Sequence, residues 1–136
     1  MASIFVAASA IVIACLGLVH LLFTFSGAKL HPRDLSLKDA MMASSPVISR
    51  ETTMWRAWIG FNASHSFGAM LFGIIYGYLA ILHGEFLMQS TFLLAVGFCL
   101  LSGYALLGKV YWFSVPFRSI LLALFLYGIG LGLHFA

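Results

Sequence analysis

Three side chains in this 136-residue sequence stand where an apolar surrounding should tolerate neither amide nor imidazole: His20 in one unbroken apolar stretch, and Asn62 and His65 in another. Such groups are costly at membrane depth unless something answers them. An amide donates and accepts at once, and an imidazole can carry a proton or ligate a metal, so the trio has two uses: holding a ligand, or hydrogen-bonding helix to helix. Ser102, Tyr104 and Ser119 add hydrogen-bonding groups in two further apolar stretches, while Arg56, Tyr111 and Arg118 add basic and phenolic groups suited to an anion. These nine residues are the candidate ligand-binding set. No acid pair lies in an apolar stretch, and Glu85 stands alone, so there is no material for carboxylate acid–base catalysis and no residue is assigned a catalytic role. His31, His83 and His134 have no metal-ligand spacing with one another, and no metal site is expected.

The elements that must position these residues are membrane spans. With 62% hydrophobic and only 8% charged residues, the chain departs far from soluble domains, in which about a quarter of residues are charged. Its mean hydropathy of +1.06 agrees. Spans are expected at about residues 2–24, 54–82, 86–108 and 115–135, each long enough to cross about 30 Å of hydrocarbon. The fold class is therefore all-α, a four-helix antiparallel transmembrane bundle forming a single membrane domain with a longer first loop. Gly84-Glu85 reads as a tight reversal, and Pro116 suits the first turn of the last helix, where its missing N–H costs no hydrogen bond. The first apolar segment lacks a basic leader and is a full span in length, so it reads as a retained helix and not a signal peptide.

Threading four spans puts Lys29, Arg33, Lys38, Arg50, Arg56, Lys109 and Arg118 on one side. Basic residues gather at the cytoplasmic face, which places loop 26–53 in the cytoplasm and both termini in the periplasm of a bacterial inner membrane. The formal charge of +3 thus belongs to span flanks and argues against nucleic acid as a partner. In the first loop, Asp34 or Ser36 can cap a short helix through Met41-Met42 that Ser44-Ser45-Pro46 ends, a segment suited to lying on headgroups or to acting as a lid. Ser49 is the expected cap of the second span.

Helical spacing aligns Ser9, Ile13, Gly17, His20, Thr24 and Gly27 on one face of the first span. It aligns Trp55, Trp58, Asn62, His65, Ser66, Ala69, Gly73 and Tyr76 on one face of the second. Counted from span centres, His20, Asn62, Ser102, Tyr104 and Ser119 fall in one layer about 7–10 Å toward the basic side, with His65 deeper. The expected result is a polar cup open to the cytoplasm, rimmed by Arg56, Lys109, Tyr111 and Arg118, that takes membrane lipid or a small ligand. His20 and His65 should then differ by about 9 Å in depth, which disfavours a bis-histidine haem. Cys15 and Cys99 read as small core residues, and the glycines of Gly128-Ile129-Gly130-Leu131-Gly132 as surfaces for helix contact.

As a whole the chain resembles a class of uncharacterised four-helix bacterial inner-membrane proteins. In length, helix plan and loop placement it is also similar to the membrane-associated proteins in eicosanoid and glutathione metabolism (MAPEG). Their second helix carries Arg-Ala-His-x-Asn-x-x-Glu. Here Arg56-Ala57 opens comparably, Trp58 stands in place of the histidine, Asn62 follows two positions late and no glutamate follows. Tyr111 and Arg118 resemble that family's tyrosine and arginine. The resemblance implies a trimer binding glutathione between protomers, with Arg56, Asn62, Tyr111 and Arg118 on the anion, as transferase or peroxidase. The residues themselves point first to a non-catalytic polytopic protein that forms a homo-oligomer or serves as accessory subunit of a larger membrane complex. A haem or quinone carrier is the third reading.

Overall fold

A computed structural model describes all 136 residues. Six helices carry the chain: α1 (Ala2–Phe25), α2 (Leu35–Ala43), α3 (Met54–Leu82), α4 (Gly84–Gln89), α5 (Thr91–Tyr111) and α6 (Ser114–Phe135). There is no strand. α1, α3, α5 and α6 are long and apolar enough to cross a membrane, the make-up of a small multi-pass membrane protein. The chain divides into two compact units, Met1–Leu16 with Ala69–Ala136, and Gly17–Gly68.

The first unit packs the start of α1, the second half of α3, and α4 to α6 around Val6, Ala10, Ile13, Leu87, Leu101, Ile120, Ala123 and Tyr127. Small residues set how closely these helices approach. A Cβ on Gly73 would lie 2.7 Å from the Ala10 carbonyl oxygen and 2.9 Å from the Ala14 Cα, so α1 and α3 touch there backbone to backbone. Gly97 on α5 makes room for two phenols, since its Cβ would lie 2.8 Å from ring atoms of both Tyr76 and Tyr127. A phenol buried among apolar residues needs an acceptor. Tyr76 donates to the Leu93 carbonyl at 2.7 Å and Tyr127 to the Leu94 carbonyl at 3.1 Å, using the second lone pair of each.

The third span begins later than expected, at Thr91 and not near Phe86. The reversal is not confined to Gly84-Glu85: residues 84–89 form the short α4, which buries Leu87 and Met88, and Ser90 then caps α5 by accepting from the Leu93 N–H at 3.3 Å. A serine with a free hydroxyl competes with helix continuation and starts a new helix instead. Cys15 and Cys99 are exposed on α1 and α5, contrary to the core placement expected from their apolar neighbours, because at those positions the helix turns outward.

The second unit joins the end of α1, the first loop and the start of α3. α1 ends at Phe25 and Gly27 turns the chain with φ of 81°, a left-handed conformation that glycine adopts freely; it closes the helix and does not extend the face expected of it. Asp34 caps α2 as expected, accepting from the Ser36 hydroxyl at 2.7 Å and the Ser36 N–H at 2.9 Å. Ser49 does not cap α3. It accepts from the Glu51 N–H at 3.2 Å in a local turn, and Thr53 is the cap, its hydroxyl accepting from the Arg56 N–H at 3.3 Å.

The Ser36 hydroxyl, then the Ser36 N–H, hold the Asp34 carboxyl below its ordinary range. The cap's contribution is therefore complete above that ordinary range and is lost as pH falls through the depressed value. Protection of the α2 amides against hydrogen exchange should fall over that acid window in the native chain and stay flat in Asp34→Asn. A second contrast tests the packing. Gly73→Ala should lower stability in detergent by about 1–3 kcal/mol through forced separation of α1 and α3. Gly60→Ala, where a Cβ meets nothing within 4 Å, should be neutral or stabilising by up to about 1 kcal/mol in thermal unfolding.

Candidate functional site

The polar residues of the second unit meet one another. On α1, the 3.6-residue repeat puts Gly17, His20 and Thr24 on one face, and Gly17 and Thr24 are buried with His20 half-buried. On α3 it puts Asn62, His65 and Ser66 on one face, of which Asn62 and Ser66 are buried. His20 Nε2 and Asn62 Oδ1 lie 3.0 Å apart, a hydrogen bond across the two helices. Asn62 Nδ2 donates to the Trp58 carbonyl at 2.8 Å, so its Oδ1 is the acceptor and His20 bears its proton on Nε2. Two hydroxyls complete the group by bonding one turn back on their own helices: Thr24 donates to the His20 carbonyl at 2.8 Å, and Ser66 to the Asn62 carbonyl at 2.9 Å.

His65 joins this cluster directly. Its ring meets that of His20 edge-on, centroids 5.6 Å apart with an interplanar angle of 83°. The expected depth difference of about 9 Å is therefore wrong. Asn62 is level with His20, as the shared layer implies, and His65 follows Asn62 by three residues, about 4.5 Å of helical rise, which the two side chains span. Chemically the cluster holds one imidazole with a fixed tautomer beside another, a clasp between helices.

Of the remaining candidates, Arg56 lies in the second unit, and Ser102, Tyr104, Tyr111, Arg118 and Ser119 lie in the first. α5 runs from Thr91 to Tyr111, so Ser102 and Tyr104 fall near its middle, about 1.5 and 4.5 Å past Leu101. Both are half-buried. Tyr104 lines an open apolar hollow of about 550 Å³ along α5, shared with Ala95, Cys99 and Gly103. The Ser119 hydroxyl donates to the Val115 carbonyl of its own helix at 3.1 Å. Arg56, Tyr111 and Arg118 are exposed.

Two residues have a role that helical spacing did not disclose. Trp55 and Trp58 read as interface aromatics on the inner face of α3, yet Trp58 is largely exposed and its indole N–H donates to the Leu30 carbonyl at 3.2 Å. Trp55 carries the His31 ring edge-on at 4.9 Å and the Lys38 ammonium 4.9 Å above it. An indole N–H looking for an acceptor was the available signal. No family model, curated protein or solved structure matches the chain.

The interhelical bond between His20 and Asn62 should be measurable as a coupling. In a double-mutant cycle of His20→Phe and Asn62→Leu, followed by unfolding in mild detergent, the pair should couple by about 1 kcal/mol. Strict additivity would show that the two side chains act independently.

Proposed function

We propose that the chain is a non-catalytic subunit of the bacterial inner membrane that assembles with further copies of itself through the outer face of α6. The observation that carries this reading is the open pair Gly128 and Gly132, one turn apart, neither of which has any atom within 4 Å of where its Cβ would stand. Gly130 between them faces inward, where a Cβ would lie 3.0 Å from the Ala2 carbonyl oxygen and from Val6. The inward glycine is thus accounted for by α1. The outward pair is not, and glycine in a helix costs about 1 kcal/mol relative to alanine. A small-x-x-x-small face recovers that cost when another helix packs closely against it.

The polar cluster supports the non-catalytic part of the reading. Both amide atoms of Asn62 and the Nε2 of His20 are engaged with protein groups, which suits a clasp better than a substrate site. A second reading, a haem or quinone carrier, rests on the adjacency of His20 and His65, and axial ligation there would require His20 to release Asn62. Visible absorbance or extractable quinone in the pure protein distinguishes it. The glutathione reading keeps Arg56, Tyr111 and Arg118 as exposed groups and gains no contact among them, and thermal stabilisation by millimolar glutathione would revive it.

Replacing Gly128 and Gly132 together with Ile should convert an oligomer to a monomer in mild detergent, read by light scattering, while leaving the helical signal intact. A native chain that is monomeric under those conditions removes the proposal.

A further inference from the structure

The first loop is held at a definite height. Trp58 binds the Leu30 carbonyl, Trp55 carries His31 and Lys38, and the Met54 N–H donates to the Ser44 carbonyl at 2.8 Å. All of these ties reach the first five residues of α3, where the tryptophans are of the kind that settle at headgroup level. α2 is therefore fastened before and after itself to the start of α3, the end that carries both tryptophans.

Held there, the loop shows the wrong side chains for a segment surrounded by water. α2 buries none of its residues. Leu35 and Leu37 are exposed, and beyond α2 Val47 and Ile48 are the extreme case, 108% and 93% exposed. The same segment carries exposed Arg33, Arg50 and Arg56. From residue 26 to 56 five cations face three carboxylates, and one of those carboxylates, Asp34, is engaged as the α2 cap. Apolar tips flanked by arginines complement an anionic lipid surface: the side chains enter the acyl boundary and the guanidinium groups meet phosphates. A soluble protein would have to find this patch by diffusion, whereas lipid is already at its level.

We propose that residues 33–56 are an interfacial docking element, with α2 lying along the bilayer surface, Val47 and Ile48 inserted among anionic phospholipids, and Arg33, Arg50 and Arg56 on their phosphates. The element is distinct from the α6 face and independent of its role.

The test uses the full chain with Cys15 and Cys99 replaced by Ala, because both thiols are exposed. Ile48→Cys carries an environment-sensitive fluorophore in nanodiscs of mixed phosphatidylglycerol and phosphatidylcholine. Nitroxide placed shallowly on lipid should quench this label and aqueous iodide should not, while a label at Asp39→Cys on α2 should show the reverse. Omitting phosphatidylglycerol, or substituting Arg33→Gln and Arg50→Gln in its presence, should reduce the lipid quenching by at least about twofold. Iodide quenching at position 48 equal to that at 39 would mean that the tip is in water and would overturn the proposal. Silence toward both quenchers would mean a protein covers the tip, and overturns it equally. Lipid quenching indifferent to phosphatidylglycerol and to both arginines overturns the choice of an anionic surface.

Discussion

The hydrogen bond between His20 on α1 and Asn62 on α3 is the contact through which the second unit becomes one object. Lipid offers no donor or acceptor, so an imidazole and an amide at that depth must be answered by protein or not at all. Each then recruits its neighbours. Asn62 completes its amide on the Trp58 carbonyl, Thr24 and Ser66 return their hydroxyls to their own helices, and the His65 ring closes against His20. Association of the two helices has little hydrophobic drive in a bilayer, and bonds of this kind supply part of what replaces it.

The first unit meets the same constraint by a different route. It places few polar groups inside, and those it has are phenols that reach main-chain carbonyls: Tyr76 to Leu93 and Tyr127 to Leu94. Gly97 is what lets both rings lie against α5, and Gly73 is what brings α1 onto α3. Close backbone packing here does the work that side-chain bonding does in the second unit. Ser9 is the exception, fully buried with its hydroxyl without a partner, at a cost comparable to that of a lost hydrogen bond.

Span number, span faces and the α2 cap were all legible in the sequence, because each rests on a local rule: length against bilayer thickness, the 3.6-residue period, a carboxylate before a helix. Ser9, Ile13, Gly17 and Thr24 are buried where that period puts them, and Phe61, Leu71, Ile75 and Leu82 are exposed. What differed had either a faint local marker or a cause in side-chain reach. The start of α5 was missed because Phe86, Leu87 and Met88 are as apolar as a span, and only the hydroxyl of Ser90 marks the break. The contact of His20 with His65 is not legible because a depth count follows the backbone, whereas both imidazoles reach several ångströms along the helices from their own Cα atoms.

These two kinds of success bear on what the exterior is for. A side chain that is exposed on a membrane helix is normal in lipid, so exposure of Phe61 or Leu71 carries no message. Glycine with open space beside it is different, since it leaves backbone uncovered and gains nothing from lipid; Gly128 and Gly132 stand as a pair one turn apart, unlike the isolated Gly60 and Gly103. Exposed Val47 and Ile48 are informative for the converse one, being apolar side chains on a loop and not on a span. Where a feature is unfavourable in the medium that its position implies, some further surface must be compensating it. In this chain that argument favours two places, the α6 face bearing Gly128 and Gly132 and the tip of the first loop.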